Sequence, residues 1–305
     1  MPLSQKLRAY LQLMRPANIV TAIADILAGA AASGSILLIT NGEAAGGDDS
    51  SLINLLWLVV ATIGLYGGGV VFNDVFDAKL DREERPERPI PRGDVSVTEG
   101  AILGGVLLVG GILSALQVSI KSFIIAVAVA LCALLYDAWG KHQRIFGPIN
   151  MGLCRGGNLL LGVSLVPAAI ADYWYLSLIP IVYIAAITMV SRGEVHGSSR
   201  SALWGGVGMY SAVIVSLAVV AFREEAHWSA LLFLGLFASQ IYPPLFKAIR
   251  YAEPQFIGKA VKAGVISLII LNATFVSIFA SALFGLLVLL LLPLSIGLAR
   301  YFAVT

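Results

Sequence analysis

The chain has 305 residues, of which 58% are hydrophobic and only 12% charged, with a mean hydropathy of +0.88. Soluble domains carry roughly 25% charged residues; here too few polar side chains remain to cover a water-facing exterior, which excludes a cytosolic globular enzyme. Lys and Arg number 20 against 18 Asp and Glu, so the net charge is +2 and no polybasic surface exists to bind nucleic acid.

Residues 1–15 (MPLSQKLRAYLQLMR) are too polar for a signal peptide, which needs a continuous apolar core. Leu3, Leu7, Leu11 and Met14 recur at helical spacing with Lys6, Arg8 and Arg15 between them, which predicts a short amphipathic helix lying on a membrane surface. A helical span needs about 20 mostly apolar residues. Such runs fall near 17–40, 52–75, 97–117, 121–139, 147–170, 174–192, 202–222, 228–247, 262–281 and 284–303. The expectation is an all-α polytopic bundle of nine or ten spans, nine if the last two are one broken span, forming a single domain over 1–305. With the N-terminus inside, the outer connections carry only Lys121 and Arg223, and nearly all other basic residues fall at the cytoplasmic side. Cys132 and Cys154 lie within apolar runs, where a small packed side chain is expected in place of a disulfide.

The segment NDVFDAKLDREERPERPIPRG, residues 73–93, closes the second span. At about 100° per helical residue, Asn73, Asp74, Asp77 and Asp81 share one face. Clustered anions at the edge of hydrocarbon are costly unless a cation neutralises them. Mg²⁺ prefers oxygen ligands and is typically held by one or two carboxylates plus phosphate oxygens and water, so this face predicts a metal site for a diphosphate. The same charges also fit a solvated loop with ion pairs to Lys79, Arg82 and Arg85. Arg88-Pro89-Ile90-Pro91-Arg92-Gly93 follows, where planar guanidinium forks suit phosphate oxygens and the prolines preclude a long regular helix.

The fourth span ends Tyr136-Asp137-Ala138-Trp139-Gly140-Lys141, and the fifth carries Asn150, Arg155 and Asn158. An arginine inside a span pairs with an acid or faces a polar cavity; Asp137 is one possible partner. Asn18 and Asp25 in the first span pose the same question, with interhelical hydrogen bonding as the structural answer. Gly67-Gly68-Gly69 and the pair Gly152 and Gly156 predict close helix packing. At the end of the sixth span Ser191, Glu194 and Ser198 repeat the spacing of Asp74, Asp77 and Asp81, which suggests two related halves. Glu194 is the stronger candidate there, as a ligand to a second metal or a proton acceptor. Ser191 and Ser198 are weak Mg²⁺ ligands, and His196 lies off that face.

The stretch Asn73-Asp74-Val75-Phe76-Asp77-Ala78-Lys79-Leu80-Asp81 with the Arg-Pro loop resembles the first signature of the UbiA superfamily of intramembrane prenyltransferases. Arg15-Pro16-Ala17-Asn18 and Tyr136 to Lys141 are similar to further family features, and the likeness covers nearly the whole chain. The resemblance implies an all-helical bundle that uses Mg²⁺ to transfer a prenyl group from an isoprenoid diphosphate to a lipophilic, sometimes aromatic, acceptor. It further implies that Asp74, Asp77 and Asp81 are metal ligands, with Asp77 and Lys141 central to catalysis; Glu194, read from its spacing, joins them as a further metal-ligand and catalytic candidate. Arg88 and Lys141 then neutralise the diphosphate as the allylic C–O bond ionises. Asn73, Tyr136, Arg155, Asn158 and Asn18 become substrate contacts. The family's second signature usually carries two or three aspartates; the Ser191, Glu194, Ser198 pattern is similar to the divergent UbiA-like branch called EboC. That branch implies a bacterial inner-membrane protein.

The sequence therefore supports a Mg²⁺-dependent prenyltransferase at the cytoplasmic leaflet. A lipid or metabolite carrier, or a non-catalytic binding subunit of a membrane complex, is the alternative that the eroded second motif keeps open. A phosphatidyl-alcohol transferase needs Asp-Gly followed by Ala-Arg in its acidic motif, where this chain has Asp77-Ala78-Lys79.

Overall fold

The computed structural model describes residues 3–41, 50–143, 145–192 and 200–302. Within them the regular elements are helical: α1 (Leu3–Met14), α2 (Pro16–Ala32), α3 (Ser35–Asn41), α4 (Ser50–Phe76), α5 (Asp81–Glu84), α6 (Val97–Leu116), α7 (Ile120–Ala138), α8 (Phe146–Val163), α9 (Ile170–Tyr173), α10 (Leu178–Ser191), α11 (Arg200–Arg223), α12 (His227–Tyr251), α13 (Pro254–Phe279), α14 (Ala282–Leu289) and α15 (Leu291–Phe302). Single 3₁₀ turns occupy Gly140–His142 and Trp174–Ser177.

Among the described residues eight helical stretches are long and apolar enough to cross a membrane, and α1 with α2, bent by 45°, makes a ninth. The protein is an integral membrane protein. α8 falls outside that set because its 18 residues include Arg155, Asn150 and Asn158, yet it packs inside the bundle between α2, α7 and α10. The last two runs are separate helices: α13 ends at Phe279, and the Ser281 hydroxyl caps α14 by accepting from the Phe284 N–H.

Apolar side chains on α6 and α7, such as Ile102, Val106, Ile124 and Leu131, face outward, as a hydrocarbon solvent permits. α13 is the opposite case, with an unbroken buried stretch from Ser267 to Ile278; a helix apolar on every side belongs at the centre. Small residues bring backbones together. A Cβ on Gly29 would overlap the Leu159 carbonyl oxygen, and one on Gly162 would overlap that of Ile26, so α2 and α8 meet in direct backbone contact. Gly152 and Gly156 do the same against Ile181 and Ser177, and Gly68 against Gly104 and Leu108. Cys132 and Cys154 are free and half-buried.

In α1 the expected apolar stripe is only partly used: Leu3 and Leu7 are exposed, whereas Ala9 and Leu13 are buried. Ala9 and Leu13 pack with Val71, Ala78, Ile90 and Val95, so α1 covers the end of α4 and the Arg-Pro loop. A Lys6–Glu99 ion pair ties its far end to α6.

Candidate functional site

The acids sit where α4 stops. Its last residue is Phe76; a turn then carries Asp77, and Asp81 opens α5. The Asp81 N–H bonds the Asp77 carbonyl at 2.8 Å, and the Arg85 N–H bonds that of Asp81 at 2.9 Å. The single continuous helix face expected from the spacing is thus corrected: only Asn73 and Asp74 are helical residues of α4. The chain turns because it must reach the proline-rich loop, and that loop carries Arg88 back underneath. Arg88 is buried, and its Nη1 donates to Asp81 Oδ2 at 2.7 Å and to Asp74 Oδ1 at 3.1 Å.

Arg15 adds a second cation. It occupies the position before Pro16 with φ 49° and ψ 67°, a left-handed conformation uncommon for a residue with a side chain. Strained backbone persists where surrounding contacts over-determine it; here the Arg15 Nη2 donates to Asp74 Oδ1 at 2.5 Å. Lys141, in the 3₁₀ turn after α7, holds Asp77 at 2.5 Å. Asn73 Nδ2 donates to Asp137 Oδ1 at 2.9 Å. The start of α2, the end of α4 and the end of α7 therefore converge at one charged end of the bundle.

The pairing there is incomplete. Asp74 Oδ2, Arg15 Nε and Arg88 Nε are buried and, among the described residues, make no hydrogen bond. Asp77 and Lys141 stay partly open to solvent. Among the described residues no three acidic, His or Cys side chains gather around one metal position. That arrangement fits Mg²⁺, which needs only one or two carboxylates when phosphate oxygens and water complete its shell. Asp74 offers an unused oxygen and Asp77 a partly exposed carboxylate, whereas Asp81 is buried against Arg88.

A cavity of about 270 Å³ opens beside this cluster. Its wall includes Asn18, Asn73, Tyr136, Arg155 and Asn158, together with Arg15, Asp137, Tyr66 and an apolar lining. Arg155 does not pair with Asp137. Its Nη1 donates to Asp25 Oδ2 at 2.7 Å and its Nη2 to Thr21 Oγ1 at 2.5 Å, and the guanidinium carbon lies 4.9 Å from the centre of the Tyr66 ring. Asp25 is fully engaged: Asn158 Nδ2 reaches Oδ2 at 3.1 Å and Asn272 Nδ2 reaches Oδ1 at 2.7 Å. Thr62 completes the knot by donating to Asn158 Oδ1 at 2.7 Å.

The second motif is only partly visible. The Ser191 hydroxyl donates to the Thr188 carbonyl of its own helix at 2.9 Å, while Glu194, His196 and Ser198 lie outside the described residues. Sequence reasoning did not single out Arg15 as a partner of Asp74, nor Asp137 as part of the cavity wall. For Asp25 a signal was present: Asp25 and Arg155 stand equally far, by residue count, from the starts of α2 and α8 at Pro16 and Phe146.

The UbiA prenyltransferase family model matches residues 35–242. The chain belongs to the UbiA prenyltransferase family. It is 29% identical over 185 residues to a digeranylgeranylglyceryl phosphate synthase of Saccharolobus solfataricus, covering 60% of this chain and 60% of that protein. The chain thus spans about 60% of the length of the curated relatives it matches. A UbiA homolog from Aeropyrum pernix K1 superposes with a TM-score of 0.67 at 16% identity, over 84% of this chain and 96% of that one. A UbiA homolog from Archaeoglobus fulgidus, bound to DMAPP and Mg²⁺, gives 0.55 at 15% identity, over 90% and 98%. These likenesses show a shared fold.

Proposed function

We propose that this UbiA family member transfers a prenyl group from an isoprenoid diphosphate to a lipophilic acceptor, with Mg²⁺, at the cytoplasmic leaflet. The observation that carries the reading is the unfinished ion cluster at the charged end, where Asp74, Arg15 and Arg88 retain unpartnered atoms and Arg15 also lines a cavity. In this reading Asp74 and Asp77 hold the metal, with Asp81 fixing Arg88 beneath them. Bound Mg²⁺ supplies Lewis-acid stabilisation of the leaving group. Lys141, Arg15 and Arg88 turn their spare N–H groups toward the diphosphate oxygens where negative charge develops. The bond between the allylic carbon and the bridging oxygen breaks, its electron pair leaving on the diphosphate. The acceptor supplies the electron pair of the new bond, and its proton leaves with the released diphosphate. Asn73, held by Asp137, orients the group at the cavity mouth, and Tyr136 and Asn18 shape the wall.

The second motif tempers the scheme. With Ser191 turned into its helix and one acid, Glu194, between two serines in the second motif, a single-metal site of the EboC-like type is the form we assign, with Glu194 as a further ligand or proton acceptor. The charged end then faces the cytoplasm of a bacterial cell, consistent with the placement of Lys and Arg.

The test is consumption of a labelled isoprenoid diphosphate by the purified chain in lipid nanodiscs with Mg²⁺, with binding of the same diphosphate measured in parallel. Mg²⁺-dependent binding is expected, lost in Asp77→Asn. If the diphosphate neither binds nor turns over while a working family member does both in the same nanodiscs, the transferase reading is wrong. Counterflow of a labelled lipid that survives Asp77→Asn identifies a carrier instead.

A further inference from the structure

The cavity has two polar ends with an apolar stretch between them. Asn73, Asp137 and Arg15 stand at the charged end. Tyr66 on α4 and Val129 on α7 lie about 10 Å deeper, at 1.5 Å per helical residue. At that depth Arg155 and Asn158 line the wall, and Asp25 sits behind them, outside the cavity. A guanidinium inside a membrane bundle is expensive, and an isoprenoid tail needs none. The pair is closed at 2.7 Å, yet the cation is the member that lines the cavity and the carboxylate lies outside it.

We infer that this deep end seats the head group of the acceptor, and that this head is uncharged and carries hydroxyl or carbonyl oxygens. The inference rests on the transferase reading above and names the substrate class of that site. Its physical basis is charge balance. Arg155 and Asp25 sum to zero at 2.7 Å, and Asp25 has both oxygens occupied by Arg155, Asn158 and Asn272. A carboxylate or phosphate carried to this depth would add net charge to a balanced pair; the other cation on the cavity wall, Arg15, is at the opposite end and committed to Asp74. A neutral oxygen only needs a donor, which the guanidinium supplies from the N–H groups not given to Asp25 and Thr21, without any ion being created or stripped. The cavity volume of about 270 Å³ suits a compact head. The relatives described above are named for a phosphate-bearing product; this wall is built for a different acceptor.

The experiment uses the full chain in nanodiscs with Mg²⁺ and labelled geranylgeranyl diphosphate. Acceptor probes are hydroquinone, a long-chain phenol and an alkyl glycerol ether, all uncharged, against the phosphate ester of the same glycerol ether. Transfer to at least one uncharged probe is expected, at least tenfold above the phosphate. The double variant Asp25→Asn with Arg155→Gln keeps the charge sum at zero and so preserves the fold, checked by its melting temperature. It should raise the acceptor KM at least tenfold while donor Kd stays within twofold. The single variant Arg155→Lys, which keeps charge but loses the planar fork, should fall between. Preference for the phosphate probe, no transfer to any uncharged probe despite donor binding, or an unchanged acceptor KM in the folded double variant each overturns the inference alone. Failure of the unmodified chain to bind the donor overturns the transferase reading, and this inference with it.

Discussion

Among the described residues, the buried ionic clusters around Asp25 and Asp74 are finished to different degrees. In the knot around Asp25 both carboxylate oxygens are engaged, by Arg155, Asn158 and Asn272. At the charged end Asp74 keeps one oxygen without a hydrogen bond, and Arg15 and Arg88 each keep an unused N–H. A satisfied buried network holds helices in one arrangement, whereas an unsatisfied one carries a free-energy cost that a ligand can relieve. The difference separates an acid locked in place as an anchor, Asp25, from one left with a free oxygen for a ligand, Asp74, although both clusters are made of the same residue types.

The largest effect that sharpens this contrast is expected at Asp25. Asp25→Ala leaves the Arg155 charge buried without its partner, which costs about 3–5 kcal/mol; unfolding monitored by circular dichroism in detergent should show the loss. A melting temperature equal to that of the unmodified chain would erase the distinction between the clusters. Next comes Asp77→Asn, predicted to lower prenyl transfer by about 100-fold, equivalent to roughly 2.7 kcal/mol of transition-state stabilisation, with the fold intact. Equal losses of stability at both acids would make the charged end structural too. Gly162→Val forces side-chain atoms into the backbone contact between α2 and α8, an overpacking cost of about 1–3 kcal/mol. Because that seam aligns Asp25 with Arg155, its effect should be much smaller when combined with Asp25→Ala than when measured alone. Smallest of all is Lys6→Ala: the Lys6–Glu99 pair is exposed, so the melting temperature should not move, and a clear drop would mean that α1 is held by charge and not by Ala9 and Leu13.

Much of the architecture was legible because hydrocarbon imposes simple rules. Apolar runs of spanning length became helices, and the paired glycines became seams. α8 shows where the rule thins: Arg155, Asn150 and Asn158 lower its hydropathy, yet they are buried in a helix packed on α2, α7 and α10, while Ile149, Met151 and Leu153 stay exposed. The acidic motif was legible as a cluster but not as a shape. A period of 3.6 extends a helix through Asp81, whereas the actual chain leaves the helix after Phe76 so that Arg88 can return beneath the acids. The partner of Arg155 was signalled by depth alone. Asp137 is near in sequence, but it lies at the end of α7, while Asp25 lies at matching depth on a helix whose adjacency to α8 depends on Gly29 and Gly162. Spacing along one helix is local information; which helices touch is not.

The left-handed joint at Arg15 gives one residue two jobs, since its backbone sets the 45° bend between the first two helices and its side chain grips Asp74. Any substitution there alters hinge and charge together, so its phenotype cannot be assigned to either by itself. Arg15→Gly relaxes the joint while deleting the cation, and Asp74→Asn keeps the joint while deleting its anionic anchor. Only the two measured side by side tell whether α1 is steered by geometry or by the ion that anchors its joint.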